Sequence, residues 1–279
     1  MKLYSVNAGY FKLDGGAMFG VVPKSMWNKL NPADDNNMCN WAMRCWLIED
    51  GHKLILVDNG MGDKQDAKFF GHYFLNGDDS LEKSLARFGF HADDVTDVVL
   101  THLHFDHCGG SIKLSDDKTK LVPAFKNATY HVNEKHWNWA VNPNAREKAS
   151  FLKENILPIK ESGQLNYITE SSKIIEGLSF VEVNGHTEAM MLPKLEYKGQ
   201  TILYMADLIP SAAHIPLPYI MSYDVRPLDT LKEKTAILNE AAANNWLLFF
   251  EHDNSTECVS VEKTEKGVRM KDSLKVSDL

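Results

Sequence analysis

The sequence predicts an α/β sandwich, on three grounds. Short aliphatic and β-branched runs alternate along the chain with stretches of helical periodicity, the order expected of layered α/β folds. Apolar residues make up 44% and charged residues 24% of the 279, ordinary values for a globular chain. No internal repeat, low-complexity tract or Pro/Gly/Ser-rich linker divides it, so one domain over 1–279 is expected where length alone would allow about two.

The elements follow in order. Lys53-Leu54-Ile55-Leu56-Val57 has the composition of a buried strand, and Asp58-Asn59-Gly60 closes it with a turn signal. Ser80 can cap a helix over 79–88, in which Leu81, Leu85 and Phe88 recur on one face. Asp97-Val98-Val99-Leu100-Thr101 is the next buried run. Further strands are expected over 128–132, 178–183, 200–205 and 247–251, with a loop and helical insertion near 133–165 and a helix over 227–244. From Val259 to Leu279 polar and apolar residues alternate around Gly267, the pattern of a surface strand pair.

Thirty Lys+Arg against 38 Asp+Glu leave a net charge of −8, the wrong sign for a protein that holds phosphate backbones, so no nucleic-acid partner is expected. Cys39, Cys45, Cys108 and Cys258 are too few and too scattered for a disulfide scaffold and read as reduced thiols. The N-terminus lacks an apolar run followed by a small-residue cleavage site. Trp246-Leu247-Leu248-Phe249-Phe250, the longest apolar stretch, is far short of the roughly 20 residues of a membrane span. A cytoplasmic protein with no membrane partner is the expectation.

The chemistry concentrates after the second buried run, in Thr101-His102-Leu103-His104-Phe105-Asp106-His107-Cys108-Gly109-Gly110. At a strand end the side chains at i and i+2 share a side, so His102 and His104 can converge on one ion. The turn that follows can carry Asp106 and His107 towards a second position. Imidazole nitrogen and carboxylate oxygen suit zinc, and also iron or manganese. Cys108, followed by two glycines, reads as a packed thiol rather than a nucleophile.

One loop cannot complete two coordination spheres, so further ligands must come from other strand ends. His186 follows Phe180-Val181-Glu182-Val183 in an Asn184-Gly185-His186-Thr187 turn; Asp207 follows Ile202-Leu203-Tyr204-Met205-Ala206; His252 follows Leu247-Leu248-Phe249-Phe250-Glu251. Each ligand-type residue stands where sheet gives way to loop, the part of an α/β fold that gathers functional groups.

The ordered set His102-x-His104-x-Asp106-His107, then His186, Asp207 and His252, resembles the metallo-β-lactamase superfamily over nearly the whole chain. Leu56-Val57-Asp58-Asn59-Gly60 is similar to that family's strand-closing Asp-x-Gly element. The resemblance implies a four-layer αββα sandwich, with His102, His104 and His186 on one metal, Asp106, His107 and His252 on another, and Asp207 bridging them. Gly15-Gly16-Ala17-Met18-Phe19-Gly20-Val21-Val22-Pro23-Lys24 looks like the subgroup of quorum-quenching N-acyl-homoserine lactonases, with methyl parathion hydrolase-like enzymes as near relatives. Relatives commonly continue the third ligand as Gly-His-Thr-x-Gly-His, whereas this chain has Gly185-His186-Thr187-Glu188-Ala189-Met190. Exported class B1 β-lactamases carry Cys where Asp207 stands, which argues against antibiotic hydrolysis.

The expected activity is that of a dinuclear zinc-dependent hydrolase, in which a metal-bridging hydroxide attacks a lactone or ester carbonyl. Asp106 and Asp207 would orient the hydroxide or take its proton, and His214 or Tyr223, in the loop after Asp207, would protonate the leaving group. Met18, Phe19, Met26, Trp27 and the His136-Trp137-Asn138-Trp139 segment suggest an apolar cleft for a small-molecule substrate with a fatty or aryl part. The alternatives are a phosphotriesterase or phosphodiesterase, a di-iron redox protein, and a metal-stabilised binding module. Relatives of the subgroup are often dimers, so a homodimer is the expected assembly.

Overall fold

A computed structural model describes all of residues 1–279. They fall into two compact units, residues 1–9 with 43–172 and residues 10–42 with 173–279.

Along the chain β1 (Lys2–Asp14) is followed by two short helices, α1 (Gly15–Phe19) and α2 (Lys24–Trp27), then by β2 (Met38–Asp50) and β3 (Lys53–Val57). Helices α3 (Ala67–Tyr73) and α4 (Leu81–Arg87) lead to β4 (Asp97–Val99) and the single turn α5 (Phe105–Cys108). The small pair β5 (Ile112–Leu114) and β6 (Leu121–Pro123) comes next, then β7 (Thr129–Asn133), α6 (Glu134–Val141), α7 (Lys153–Glu161) and β8 (Leu165–Ile168). The remainder is β9 (Leu178–Val183), β10 (Met190–Tyr197), β11 (Gln200–Tyr204), α8 (Pro227–Asn244), β12 (Leu247–Phe249), β13 (Cys258–Thr264) and β14 (Gly267–Leu274).

One six-stranded sheet has the order β1-β2-β3-β4-β7-β8, in which β3, β4, β7 and β8 run parallel. In β3 and β4 Leu54-Ile55-Leu56-Val57 and Val98-Val99 are continuous buried apolar runs, as strands covered on both faces require. In the first unit Leu56, Val98, Leu100, Tyr130 and Val132 pack with Trp137, Ile156 and Ile159 from α6 and α7. Each such side chain contributes about 1.5–3 kcal/mol on burial. The expected cap on α4 is present, with Ser80 Oγ accepting from the Lys83 amide at 3.2 Å. Leu85 is buried there, but Phe88, assigned to the same face, is 42% exposed and only lies against Tyr4.

The other six-stranded sheet has the order β14-β13-β12-β11-β10-β9, with β11 and β12 parallel and the remaining pairs antiparallel. Helix α8 occupies the expected 227–244, opens on Pro227 and ends at Asn245 in the left-handed region. Its buried residues Thr230, Lys234, Ile237, Leu238 and Ala241 lie along one stripe. The C-terminal strand pair is the β13–β14 hairpin, turning at Gly267 with φ +89°. Two sheets with their helices are the mixed α/β content expected. No helix is long and apolar enough to cross a membrane.

Candidate metal-binding residues

In the first unit the candidate ligands follow β4. Asp58, at the end of β3, adopts a left-handed φ of 55°, unusual for a residue with a side chain. That turn aims its carboxylate at the loop after β4: Oδ1 accepts from the Thr101 amide at 2.8 Å and Oδ2 from the Thr101 hydroxyl at 2.7 Å. With its only proton donated to Asp58, Thr101 Oγ1 can only accept from His102 Nδ1, 3.0 Å away. His102 is thereby held as the Nδ1–H tautomer, and its Nε2 stands 3.1 Å from His104 Nδ1. Asp58 Oδ2 also faces His107 Nδ1 at 3.2 Å.

Helix α5 then carries Asp106 and His107 round one turn, placing Asp106 Oδ2 3.9 Å from His107 Nε2. A β-carbon on Gly109 or Gly110 would strike the carbonyl oxygens of Met61 and Asn59, so the close return of the chain requires glycine at both positions. Cys108 is buried, donates to the Leu103 carbonyl, and has its thiol pushed up to about 12 by burial, which fits a packed thiol. The outer nitrogen of His104 lies 3.6 Å from the buried Glu147 carboxylate.

In the second unit Ala206 takes a left-handed φ of 40° and turns the chain off β11 to present Asp207. The Asp207 carboxylate lies astride two imidazoles: Oδ2 is 3.1 Å from His186 Nε2 and Oδ1 is 3.1 Å from His252 Nε2. His252 Nδ1 donates to the Ala42 carbonyl at 2.7 Å. His186 Nδ1 donates to Asp224 at 2.9 Å. Burial opposes charge on His186, but Asp207 and Asp224 outweigh it and raise its pKa to about 10, so positive charge is favoured there.

The His186 turn is pinned from α8. Glu233 accepts from the amides of Asn184 and Gly185 at 2.7 and 3.0 Å, and Arg226 reaches both the Asn184 carbonyl and Glu188. A β-carbon on Gly185 would strike the backbone nitrogen of Thr230. The departure from the family pattern is thus accommodated, Glu188 being paired with Arg226 and Ala189 standing at a left-handed φ of 51°.

The donors suit divalent ions. Two corners of a tetrahedron with 2.0–2.1 Å bonds are about 3.3 Å apart, close to the donor separations at His102/His104 and His186/Asp207. His102, His107, His186 and His252 all direct Nδ1 to a protein oxygen, the outer-shell bond that fixes a ligating imidazole.

His214 does not fit the role of a proton donor to a leaving group. It is fully buried, with Nδ1 2.7 Å from Ser211 Oγ and Nε2 donating to the Met18 carbonyl at 2.9 Å. Burial pushes its pKa down to about 3, so it carries one proton, already committed to Met18. Phe19 stacks on the His214 ring at 4.5 Å and on Trp27 at 5.2 Å. Met18, Phe19 and Trp27 are accordingly core, while Met26 is exposed. The loop after Asp207 is held by Lys234, whose buried ammonium donates to the Pro216 and Tyr219 carbonyls at 2.9 and 2.8 Å. Sequence reasoning assigned no role to Asp58, Asp224 or Glu147. Asp58 had a signal in the turn that closes β3; the other two had none.

The chain belongs to the metallo-β-lactamase superfamily, whose model matches residues 44–252. Among curated proteins it is similar to an N-acyl homoserine lactonase of Bacillus thuringiensis, 27% identical over 216 residues that cover 72% of this chain and 74% of that one. Among solved structures it is similar to a probable metal-dependent hydrolase of Staphylococcus aureus, with TM-score 0.89, 25% identity and coverage of 98% and 96%. AidC, a dizinc quorum-quenching lactonase in complex with a product, shares the fold at TM-score 0.76 and 22% identity, covering 96% and 93%.

Proposed function

We propose that the chain, acting as one domain over 1–279, is a dinuclear metal-dependent hydrolase that opens a lactone or ester, with N-acyl-homoserine lactones as the first class to test. The observation that carries the reading is the Asp207 carboxylate, with one oxygen at His186 and the other at His252, the disposition of a carboxylate shared by two ions. The naming of the Bacillus relative as an N-acyl homoserine lactonase supports the substrate class.

In this reading His102, His104 and His186 would hold one ion and Asp106, His107 and His252 the other, with Asp207 available to both; zinc is the first candidate, with iron and manganese as alternatives. Two divalent ions supply a water acidified to near neutral pH and a polarised carbonyl oxygen. Asp106 would take the proton of the attacking water at a carboxylate oxygen and return it to the departing alkoxide, the second of these steps being the one assigned from sequence to His214 or Tyr223. Asp58, Thr101, Asp224 and the Ala42 carbonyl keep the imidazoles in the ligating tautomer. The protein would work in the cytoplasm, on a small molecule, as a homodimer.

Metal analysis of the purified protein, with hydrolysis assays on N-hexanoyl-homoserine lactone, p-nitrophenyl butyrate and paraoxon, tests this. Two ions per chain and preferred turnover of the lactone are expected, and Asp207→Ala should retain one ion or none. One ion or none in the intact wild-type protein would overturn the dinuclear reading, and preferred turnover of paraoxon would overturn the substrate class.

A further inference from the structure

A cavity of about 340 Å³, lined by none of the candidate ligands, lies within the second unit between the segment before β2, the turn after Ser211, the loop after His252 and the start of β14. Its volume is at the small end of ligand sites. Leu30, Ile215, Pro216 and Met270 supply apolar wall.

Asn31 and Arg269 are among the polar residues that line this cavity. Asn31 is 7% exposed, and its side-chain amide makes no hydrogen bond within the chain. The amide is not sealed off, so water or a ligand in the cavity can satisfy it. Arg269 is half-buried and makes one hydrogen bond, from Nη1 to the carbonyl of its neighbour Val268 at 2.7 Å, with no carboxylate partner. The rest of its fork is available for an anion.

The other charged group of the lining, Asp253, is already satisfied. Oδ2 accepts from the Ala212 amide, and Oδ1 from the amides of Ser255 and Thr256 and from the Ser255 hydroxyl. Its oxygens are turned to those four donors, and it makes no ion pair with Arg269.

We propose that this cavity is a second ligand site, taking a small carboxylate that carries a secondary amide and a short apolar tail, the chemistry of an N-acylated amino acid. The carboxylate pairs with the Arg269 fork, the ligand amide meets the side-chain amide of Asn31, and the tail lies along Leu30 and Met270. This assignment stands on the cavity alone and does not depend on the reading of the metal ligands. Asp253 directly follows His252, and its hydrogen bond to Ala212 joins the loop after His252 to the turn that bears His214, so an occupant would rest against both segments.

The test is titration of the metal-loaded full-length protein with N-hexanoylglycine, followed by methyl NMR of Ile215, Leu30 and Met270. A saturable shift of these methyls is expected, weakened at least tenfold in Arg269→Gln and several-fold in Asn31→Ala. Hexanoate, which lacks the amide, and N-methylhexanamide, which lacks the carboxylate, should each bind more weakly. Both variants should keep the wild-type circular dichroism spectrum and Tm measured without N-hexanoylglycine. Unmoved Ile215 and Met270 methyls would overturn the proposal, as would equal affinity in Arg269→Gln or a response confined to methyls beside His252.

Discussion

His186 Nδ1 stands 2.9 Å from Asp224 Oδ1, and both side chains are buried. The carboxylate fixes which nitrogen of the imidazole carries the proton and therefore which is offered to an ion. Asp224→Asn keeps the size of the side chain but removes its charge. We expect metal affinity to fall by roughly 10–100-fold, as for other outer-shell partners. Competition with a chromophoric chelator measures this, while circular dichroism should show an unchanged fold. Wild-type affinity in the variant would mean that Asp224 does not orient the ring.

Acid stability should depend on Asp97. Burial alone would raise its pKa, but His131, Lys53 and Thr96 hold the carboxylate at about 2, with Lys53 Nζ 2.9 and 3.0 Å from its two oxygens. A pKa depressed on folding contributes stability above the unfolded value and loses it as pH falls through the folded one. That contribution, about 2 kcal/mol, is complete above roughly pH 5 and gone near pH 2. In urea titrations Asp97→Asn should be less stable than wild type at pH 7, and the gap should narrow across that window. A gap independent of pH would count against the assignment.

Lys234 has the opposite sense. Its ammonium is buried among backbone carbonyls, and burial lowers its pKa to about 7, the nearby Asp224 charge opposing only in part. A base whose pKa falls on folding makes the folded state relatively more stable as pH rises from the folded towards the unfolded value. Relative to Lys234→Met, the wild type should gain on the order of 3 kcal/mol between pH 7 and 10. Parallel stability profiles for the two proteins would refute this.

Ala189 occupies a left-handed conformation at φ 51° where relatives place glycine. The side chain costs roughly 1–2 kcal/mol in that region, against about 0.4–1 kcal/mol of added chain entropy for glycine in the unfolded state. Ala189→Gly should therefore stabilise the protein by up to about 1 kcal/mol, raising Tm by about 2 °C in calorimetry. A lowered Tm would show that the methyl group contributes more through packing than the backbone loses.

The candidate ligands were legible because His102, His186, Asp207 and His252 follow apolar runs, and four of the seven fall within six residues. Helix α8 was legible from its apolar spacing. Strand β1 was not: Leu3, Val6 and Phe11 are its buried hydrophobics, a spacing of 3 and 5 around Gly9 at φ +128° that breaks the alternation of a regular strand. Strand β10 contains Pro193, which reads as a breaker, yet it pairs with Phe180 of β9. The partners of His186 and His214 could not be read locally, because Asp224 is 38 residues away and Met18 is 196 residues away along the chain.

The acceptors that hold the four Nδ1 atoms all belong to the polypeptide: a hydroxyl, two carboxylates and a backbone carbonyl. The rings are thus set by folding, before any ion needs to be present. The nitrogen that each of these four rings leaves unbound is therefore chosen by the chain itself.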